Sequence, residues 1–225
     1  MIEIKNTEIF GWEAAIRGMR NPMNSWEKSD SHYEPVEHGN EFITDKYVIG
    51  TNDLSLMKKL VASGTDHRKF MRMITVQMDV LAPRYWWEQF ATYRVGVTMN
   101  SCSTMHKIHT KEFTLDDFSH EHLKNFNGFK DTAHGHETAL FENGFRMTIA
   151  DLNTARKLYL QTGDKQYWWQ MIQLLPQSYN QKRTVMLNYE VLLNIYKSRK
   201  NHKLDEWHTF CGWIESLPYM KELIQ

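Results

Sequence analysis

The segment ITVQMDVLAPRYWWEQFATYRVGVTMNSCSTMHKI, residues 74–108, decides the fold of this chain. It begins within MITVQMDVL, where partial alternation and two β-branched residues predict a half-buried strand. Pro83 follows in a position that suits the first turn of a helix. Helical spacing then runs through Tyr85, Trp86, Gln89, Phe90 and Tyr93. Gly96 and Asn100 argue against a longer helix, so the polar residues beyond them form either a loop at the edge of the core or a ligand site.

Outside this segment the pattern is mainly helical. A helix is expected to start at Asn52 and Asp53 and to stop at Gly64. Further helices are predicted for residues 149–160, 183–197 and 204–217. Residues 21–40 are polar and are interpreted as a long loop, and residues 113–144 have no clear pattern. We therefore predict an α+β fold: a helix-rich single domain, residues 1–225, with a small antiparallel or mixed sheet.

The composition excludes several classes of partner. The 27 basic and 27 acidic residues cancel, so no strong field favours nucleic acid or a membrane surface. The apolar runs are too short to span a bilayer, and the first residues lack the pattern of a signal peptide, which predicts a cytoplasmic protein. Cys102 and Cys211 are too few for a disulfide framework and are interpreted as reduced thiols.

Residues suited to metal or nucleophilic chemistry occur without a recognised spacing. Histidines form the close pairs His106/His109, His120/His122 and His134/His136. Imidazoles bind zinc or iron, but no HExxH or CxxC pattern accompanies them, so the prediction is that no metal is bound. Cys102 lies near His106 with Ser101 and Ser103 beside it, again without a family signature.

Residues 74–108 resemble the central part of flavin-dependent thymidylate synthases. In that family a strand F-T-F-x-I is followed by C-P, a helix ending R-Q-x-F-R-H-R, and the signature S-x-N-E-x-S-x-R-Y. Pro83 matches the proline, Gln89 the glutamine and Arg94 the last arginine of R-H-R. With one extra residue after Val95, TMNSCSTMH at residues 98–106 lies on the signature, and Asn100 and Ser103 match it.

A second block further along the chain agrees in order and spacing. The family pattern there is L-P, a helix N-x-R-x-L, then L-R and H-A-Q-x-E-I-R. Leu175-Pro176 takes the place of L-P. The other matching positions are Asn188, Asn194, Arg199, His202 and Glu206. Upstream, LMKKLVASGTDHRKF is loosely like the family's L-x-x-G-H-x-S-P-F-E-H.

The resemblance implies a flavin enzyme of nucleotide metabolism. Its fold would form a homotetramer with FAD at each subunit junction, and it would transfer a one-carbon unit from a methylene-folate to C5 of dUMP, with NADPH as a further co-substrate. The flavin contacts it implies are Arg94, Val95, Asn100, Asn188 and Asn194. The substrate contacts it implies are Gln89, Ser101, Ser103 and His208, and of these Gln89 and Ser103 are the catalytic pair beside the pyrimidine.

The arginines of the family pattern are mostly replaced. Thr92 and Tyr93 stand for the first two residues of R-H-R, Met105 for the signature arginine, and Glu190 for the arginine of N-x-R. These side chains cannot give the bidentate bonds that an arginine gives a phosphate. One hypothesis is that the activity is retained with a variant substrate, with Arg17, Arg20, Arg84, Lys107 or Arg183 supplying the charge. An alternative is a non-catalytic relative that keeps the fold and oligomer as a binding or structural protein. A third hypothesis is a helix-rich protein unrelated to the family, with metal at the histidine pairs.

Overall fold

The computed structural model describes residues 2–38, 42–131 and 135–224. The elements of the first half are β1 (Glu3–Phe10), α1 (Trp12–Arg20), β2 (His32–His38), β3 (Phe42–Val48), α2 (Thr51–Ala62), β4 (Thr75–Pro83), α3 (Arg84–Phe90), β5 (Thr98–Ser101) and α4 (Thr104–Lys107). Those of the second half are β6 (Asn125–Asp131), β7 (Gly135–Leu140), α5 (Phe141–Thr162), α6 (Lys165–Leu174), β8 (Asn180–Asn188), α7 (Tyr189–Arg199), α8 (Asp205–Ser216) and α9 (Met220–Ile224). The predicted helix-rich α+β class is confirmed.

A four-stranded sheet has the order β1-β4-β8-β5, and two antiparallel hairpins, β2-β3 and β6-β7, stand apart from it. Strand β4 is the one predicted from alternation, and Val76, Met78, Val80 and Ala82 are its buried residues. Pro83 directly precedes α3, which ends at Phe90 well before Gly96. No helix among the described residues is both long and apolar enough to cross a membrane.

The chain packs into two compact units. The first comprises Met1–Glu3, Val80–Thr92 and Asn100–Arg183, and the second comprises Ile4–Asp79, Tyr93–Met99 and Thr184–Gln225. A single domain over residues 1–225 remains a prediction.

The core of the first unit is largely aromatic. Trp86 stacks on Phe90 with ring centroids 5.0 Å apart, and the Trp87 indole donates a hydrogen bond of 2.8 Å to the Gln181 carbonyl. A second group of buried side chains joins α5 and α6 to the preceding loops: Ile108, Phe113, Phe118, Ile149, Leu152, Ala155, Met171 and Leu175. Most of the aromatic run in residues 85–90 therefore serves as core, as its helical spacing indicates.

The second unit has an apolar core with one buried ion pair. Leu192, Leu193 and Ile195 of α7 pack in the same unit as Trp207, Phe210 and Ile214 of α8, and all six are fully buried. Arg20 donates to the Asp53 carboxylate at 2.6 Å, and the Ser29 and Ser31 hydroxyls donate to the other oxygen of that carboxylate. Because a buried charge is costly unless it is paired and hydrogen-bonded, this network fixes the start of α2.

Two predictions of secondary structure are wrong in part. Residues 21–40 are not one loop, because residues 32–38 form strand β2, in which Tyr33 pairs with Tyr47 of β3. Residues 180–188 form strand β8, and the helix predicted for residues 183–197 begins only at Tyr189. Val185 and Leu187 are the buried residues of the end of β8 and alternate with exposed ones, a period of two that fits a strand.

Candidate functional site

A tight turn in the second unit brings the two family-like blocks together. Gly96 has φ +76°, and a Cβ placed on it would lie 3.0 Å from Asn188 Nδ2 and 3.3 Å from Val191 Cγ2. The turn that carries Arg94 and Val95 therefore packs against the first turn of α7. Both residues are exposed there, and Val95 is 91% exposed. Three of the predicted flavin contacts, Arg94, Val95 and Asn188, thus lie in one place.

The two asparagines of α7 have structural hydrogen bonds. Asn188 caps the helix, since its Oδ1 accepts from the Val191 N–H at 3.0 Å. Asn194 Oδ1 accepts from Arg68 at 3.0 Å. The sequence suggests that these asparagines persist because they line a ligand pocket, whereas the structure gives each a role in holding the fold.

Glu190 stands where the family pattern has an arginine, and it is held by two arginines. Arg68 donates to its Oε1 at 3.2 Å, and Arg72 bonds both of its oxygens. Glu190 and Arg68 are buried, whereas the Arg72 side chain is 52% exposed. Burial raises the pKa of the Glu190 carboxyl, but the bonds from Arg72 and Arg68 outweigh it and hold the pKa below its usual value. The three groups together carry one net positive charge.

Arg199, another family position, is enclosed by aromatic rings. It donates a hydrogen bond of 2.8 Å to the Tyr93 hydroxyl, and its guanidinium lies 4.8 Å from the centre of the Trp207 ring. Tyr93 replaces the histidine of R-H-R, so the substitution keeps a polar partner for Arg199. His208, the predicted substrate contact of this unit, is exposed on α8 with its Nδ1 3.8 Å from Asp205.

The remaining predicted residues lie in the first unit. Gln89 is half-buried on α3, and Asn100 and Ser101 are exposed on β5. Ser103 caps α4, since its hydroxyl accepts from the His106 N–H at 3.1 Å.

A cavity of about 290 Å³ adjoins Ser103. Its charged lining residues are Lys107, Lys111, Lys182 and Asp117, and Lys111 pairs with Asp117 at 2.5 Å. Sequence reasoning named only Lys107 among these. The sequence predicts a helix over residues 183–197 and no strand before it. The position of Lys182 on strand β8, beside the segment that contains Ser103, is therefore not expected from the sequence. The Cys102 N–H donates a hydrogen bond of 3.0 Å to the Lys182 carbonyl, which holds strand β8 beside the segment that contains Ser103.

The thiols and histidines form no reactive cluster in the described ranges. Cys102 and Cys211 are both free, as expected of reduced thiols. Burial raises the pKa of the Cys211 thiol to about 11, so it is an unreactive core residue. Among the described residues, no group of three or more His, Cys, Asp or Glu side chains could hold a metal ion. His134 of the third histidine pair lies outside the described residues.

No protein-family model matches the sequence, and no curated protein matches it significantly. Solved structures do match. The flavin-dependent thymidylate synthase ThyX from Helicobacter pylori, complexed with FAD and dUMP, is similar with a TM-score of 0.65 at 16% identity, over 99% of this chain and 97% of that chain. The chain has the fold of flavin-dependent thymidylate synthases. A second structure of the Helicobacter pylori enzyme with FAD and dUMP matches with a TM-score of 0.65 at 15% identity, over 100% of this chain and 97% of that chain.

A related enzyme has the same fold. The UMP/dUMP methylase PolB from Streptomyces cacaoi, bound with 5-Br dUMP, matches with a TM-score of 0.59 at 14% identity, covering 99% of this chain and 93% of that chain. The resemblance found in two sequence blocks is thus confirmed as a likeness of thymidylate synthase-like fold along the whole chain. The hypothesis of an unrelated helix-rich protein is wrong.

Proposed function

We propose that this chain is a FAD-dependent enzyme that transfers a one-carbon unit from a folate to C5 of a uridine nucleotide, either dUMP or a variant of it. The observation that carries the proposal is the contact between the Gly96 turn and the start of α7. It joins Arg94 and Val95 to Asn188, residues from the two separate blocks that resemble the family's flavin site. Two of the solved structures with this fold contain FAD and dUMP, and the third contains 5-Br dUMP.

The residues around this turn suit the anionic part of FAD. Arg94 is exposed on the turn, and Arg72, half-exposed beside Glu190, brings the net positive charge of that cluster to the surface. Arg94 would pair with the pyrophosphate, and the Asn188 amide, with its Oδ1 already engaged, would offer its N–H groups. Bound FAD would supply the redox chemistry, with NADPH and a methylene-folate as co-substrates, and the protein would supply placement.

The nucleotide would use the other set of predicted residues. Gln89 and Ser103 would act beside the pyrimidine, with Ser101, Asn100 and His208 as further contacts. Lys107, Lys111 and Lys182 surround the cavity next to Ser103 and would provide the positive charge that the family pattern takes from an arginine at the position of Met105. Lysine binds phosphate as a point charge without arginine's bidentate geometry, so a weaker or differently shaped nucleotide site is expected. The active form would be a homotetramer.

The experiment that tests flavin binding is titration of the purified protein with FAD, followed by flavin absorbance and fluorescence. Arg94→Ala should weaken FAD binding on the order of tenfold, since a charged hydrogen bond contributes about 1.5–3 kcal/mol. The melting temperature should stay unchanged because Arg94 is exposed. Arg146→Ala is the matched control, an exposed arginine whose ion pair among the described residues is with Glu142 of its own helix. A colourless protein that takes up no FAD would refute the proposal, and an unchanged affinity in Arg94→Ala would refute the placement.

A specific observation also favours the second candidate, a non-catalytic nucleotide- or flavin-binding relative. Ser103, Asn188 and Asn194 are engaged in structural hydrogen bonds, so their presence does not require a reaction. Release of tritium from C5-labelled dUMP or UMP, measured with FAD, NADPH and methylene-folate, separates the two. Release that falls in Gln89→Ala supports the enzyme, whereas FAD binding without any release supports the binding protein.

A further inference from the structure

The turn between α8 and α9, residues 217–219, is held by contacts with other parts of the second unit. Tyr219 in this turn has φ +58°, a left-handed conformation that costs a non-glycine residue energy. Its hydroxyl accepts a hydrogen bond of 3.0 Å from the Ile49 N–H, and its ring packs edge to face on Trp12 with centroids 5.4 Å apart. A strained residue persists only where its surroundings fix it, so the 217–219 turn has a defined place in the unit.

Tyr189, the first residue of α7, is bonded to the same turn. Its side chain is fully buried, and its hydroxyl donates a hydrogen bond of 3.0 Å to the Pro218 carbonyl. Its backbone N–H donates to the Ile74 carbonyl at 3.0 Å, so both its backbone and its side chain are held. Trp12 also packs edge to face on Tyr189, with centroids 5.1 Å apart. One side chain therefore fixes the start of α7 to the 217–219 turn.

The residue before Tyr189 is the one that contacts the Gly96 turn. Asn188 Oδ1 accepts from the Val191 N–H at 3.0 Å, and a Cβ placed on Gly96 would lie 3.0 Å from Asn188 Nδ2. The direction of the Asn188 amide is therefore set by the orientation of the first turn of α7, which Tyr189 holds from its buried side. A rotation of this first turn would move Nδ2 relative to the turn that carries Arg94.

A second tyrosine makes a similar bond near the other end of α7. The Tyr196 hydroxyl donates a hydrogen bond of 2.6 Å to Glu215 and so ties α7 to α8. Tyr196 lies about two helical turns beyond Asn188, so loss of its hydroxyl should loosen α7 without turning the Asn188 amide. The two tyrosines form a matched pair, because each donates one hydroxyl bond from the same helix.

We propose that Tyr189 is a positioning residue of the flavin site, through which the 217–219 turn sets the direction of the Asn188 amide. The inference rests on the proposed function, because that function assigns Asn188 to FAD. Tyr189 itself is fully buried and acts on the ligand only through the first turn of α7. Pro218 lies 29 positions beyond Tyr189 in the chain, so the flavin site depends on a segment outside both family-like blocks.

The test compares the full chain with Tyr189→Phe and Tyr196→Phe, each of which removes one hydroxyl and keeps the ring. FAD titration followed by flavin fluorescence should show an affinity about threefold to tenfold weaker in Tyr189→Phe, the ratio expected from loss of one net hydrogen bond. The absorbance bands of the bound flavin should also shift in Tyr189→Phe, because the Asn188 amide beside it has moved. Tyr196→Phe should match the wild type in both measurements.

A second measurement needs no flavin. Asn188 protects the Val191 amide from exchange with solvent through its 3.0 Å bond, so a displaced Asn188 should expose that amide. Hydrogen exchange at the start of α7, followed by mass spectrometry of the peptides that span it, should be about threefold faster in Tyr189→Phe than in the wild type. Exchange there should be unchanged in Tyr196→Phe.

Together the two measurements separate the positioning role of Tyr189 from the flavin function. A wild type that takes up no FAD refutes the flavin function, and the exchange rates then decide by themselves whether Tyr189 positions Asn188. The positioning role is overturned if Tyr189→Phe binds FAD as tightly as the wild type does, or if Tyr196→Phe weakens FAD binding equally. It is also overturned if exchange at the start of α7 stays at the wild-type rate in Tyr189→Phe.

Discussion

Replacing Glu190 by methionine should destabilise the protein strongly, because it leaves a buried arginine without its counter-charge. Arg68 is only 8% exposed and donates to Glu190 at 3.2 Å. Breaking a buried ion pair by removing one partner costs about 3–5 kcal/mol. Asn194 still accepts one bond from Arg68, so the lower end of the range, about 3 kcal/mol, is expected. Urea unfolding at pH 7 measures this loss.

Two companion variants isolate the cause. Arg72→Met removes the half-exposed partner and should cost under about 1 kcal/mol, as exposed ion pairs do. The double variant Arg68→Met/Glu190→Met removes both buried charges and should be less destabilised than Glu190→Met alone. If the double variant were the less stable of the two, the cost would come from lost packing and not from an unpaired charge, and the reasoning would be refuted.

The pH dependence provides an independent check on the same carboxylate. Its pKa is lower in the folded protein than in the unfolded chain, where it is about 4.3. The ionised Glu190 therefore contributes stability above that unfolded pKa, and the contribution is lost as pH falls through the folded pKa. The difference in unfolding free energy between the wild type and Glu190→Met should shrink on acidification. A difference that stays constant between pH values of about 7 and 3 would contradict the assignment.

Three further variants follow from individual contacts. Gly96→Ala forces an alanine to φ +76° against α7 and should cost about 1–2 kcal/mol in urea unfolding and also weaken FAD binding. Asp53→Asn removes the charge opposite buried Arg20 and should cost about 3 kcal/mol by the same measurement; a loss under 1 kcal/mol would mean that the serine bonds dominate. Tyr93→Phe removes the acceptor for Arg199 but keeps the ring, so about 1 kcal/mol is expected, and a loss near zero would show that the hydroxyl is not the important group.

The elements that were predicted from sequence are those with a clear apolar period and a local stop signal. Strand β4 has buried residues at every second position, and α5 ends at Gly163 in the left-handed conformation that favours glycine. The sequence predicts a helix where the end of strand β8 lies, because only the last residues of that strand alternate before Asn188 caps α7. The start of strand β2 carries no apolar period that would predict it, because His32, Glu34 and Pro35 are all exposed.

Only those residues of the candidate site that belong to a local sequence motif could be predicted from the sequence. The blocks around Arg94 and Asn188 were recognised from order and spacing, and the fold brings them together. The partners of Glu190 were not predictable, since Arg68 lies 122 positions earlier in the chain. The sequence shows a glutamate at the position where the family pattern has an arginine, but it does not show which distant cation faces that carboxylate.

The charge change at residue 190 bears on which ligand the site accepts. A lone glutamate beside the proposed flavin-binding turn would repel a pyrophosphate, whereas Glu190 with Arg68 and Arg72 leaves one positive charge, which the half-exposed Arg72 carries. In the family pattern the positive charge lies at position 190, whereas in this chain it lies on Arg72, outside α7. The Arg72 side chain is bonded to the Glu190 carboxylate. An arginine restrained in this way has part of its bonding capacity used, so phosphate binding should be weaker but not abolished. The proposed anion site would therefore have a ligand geometry different from that of the family pattern, because its charge comes from Arg72 and not from residue 190.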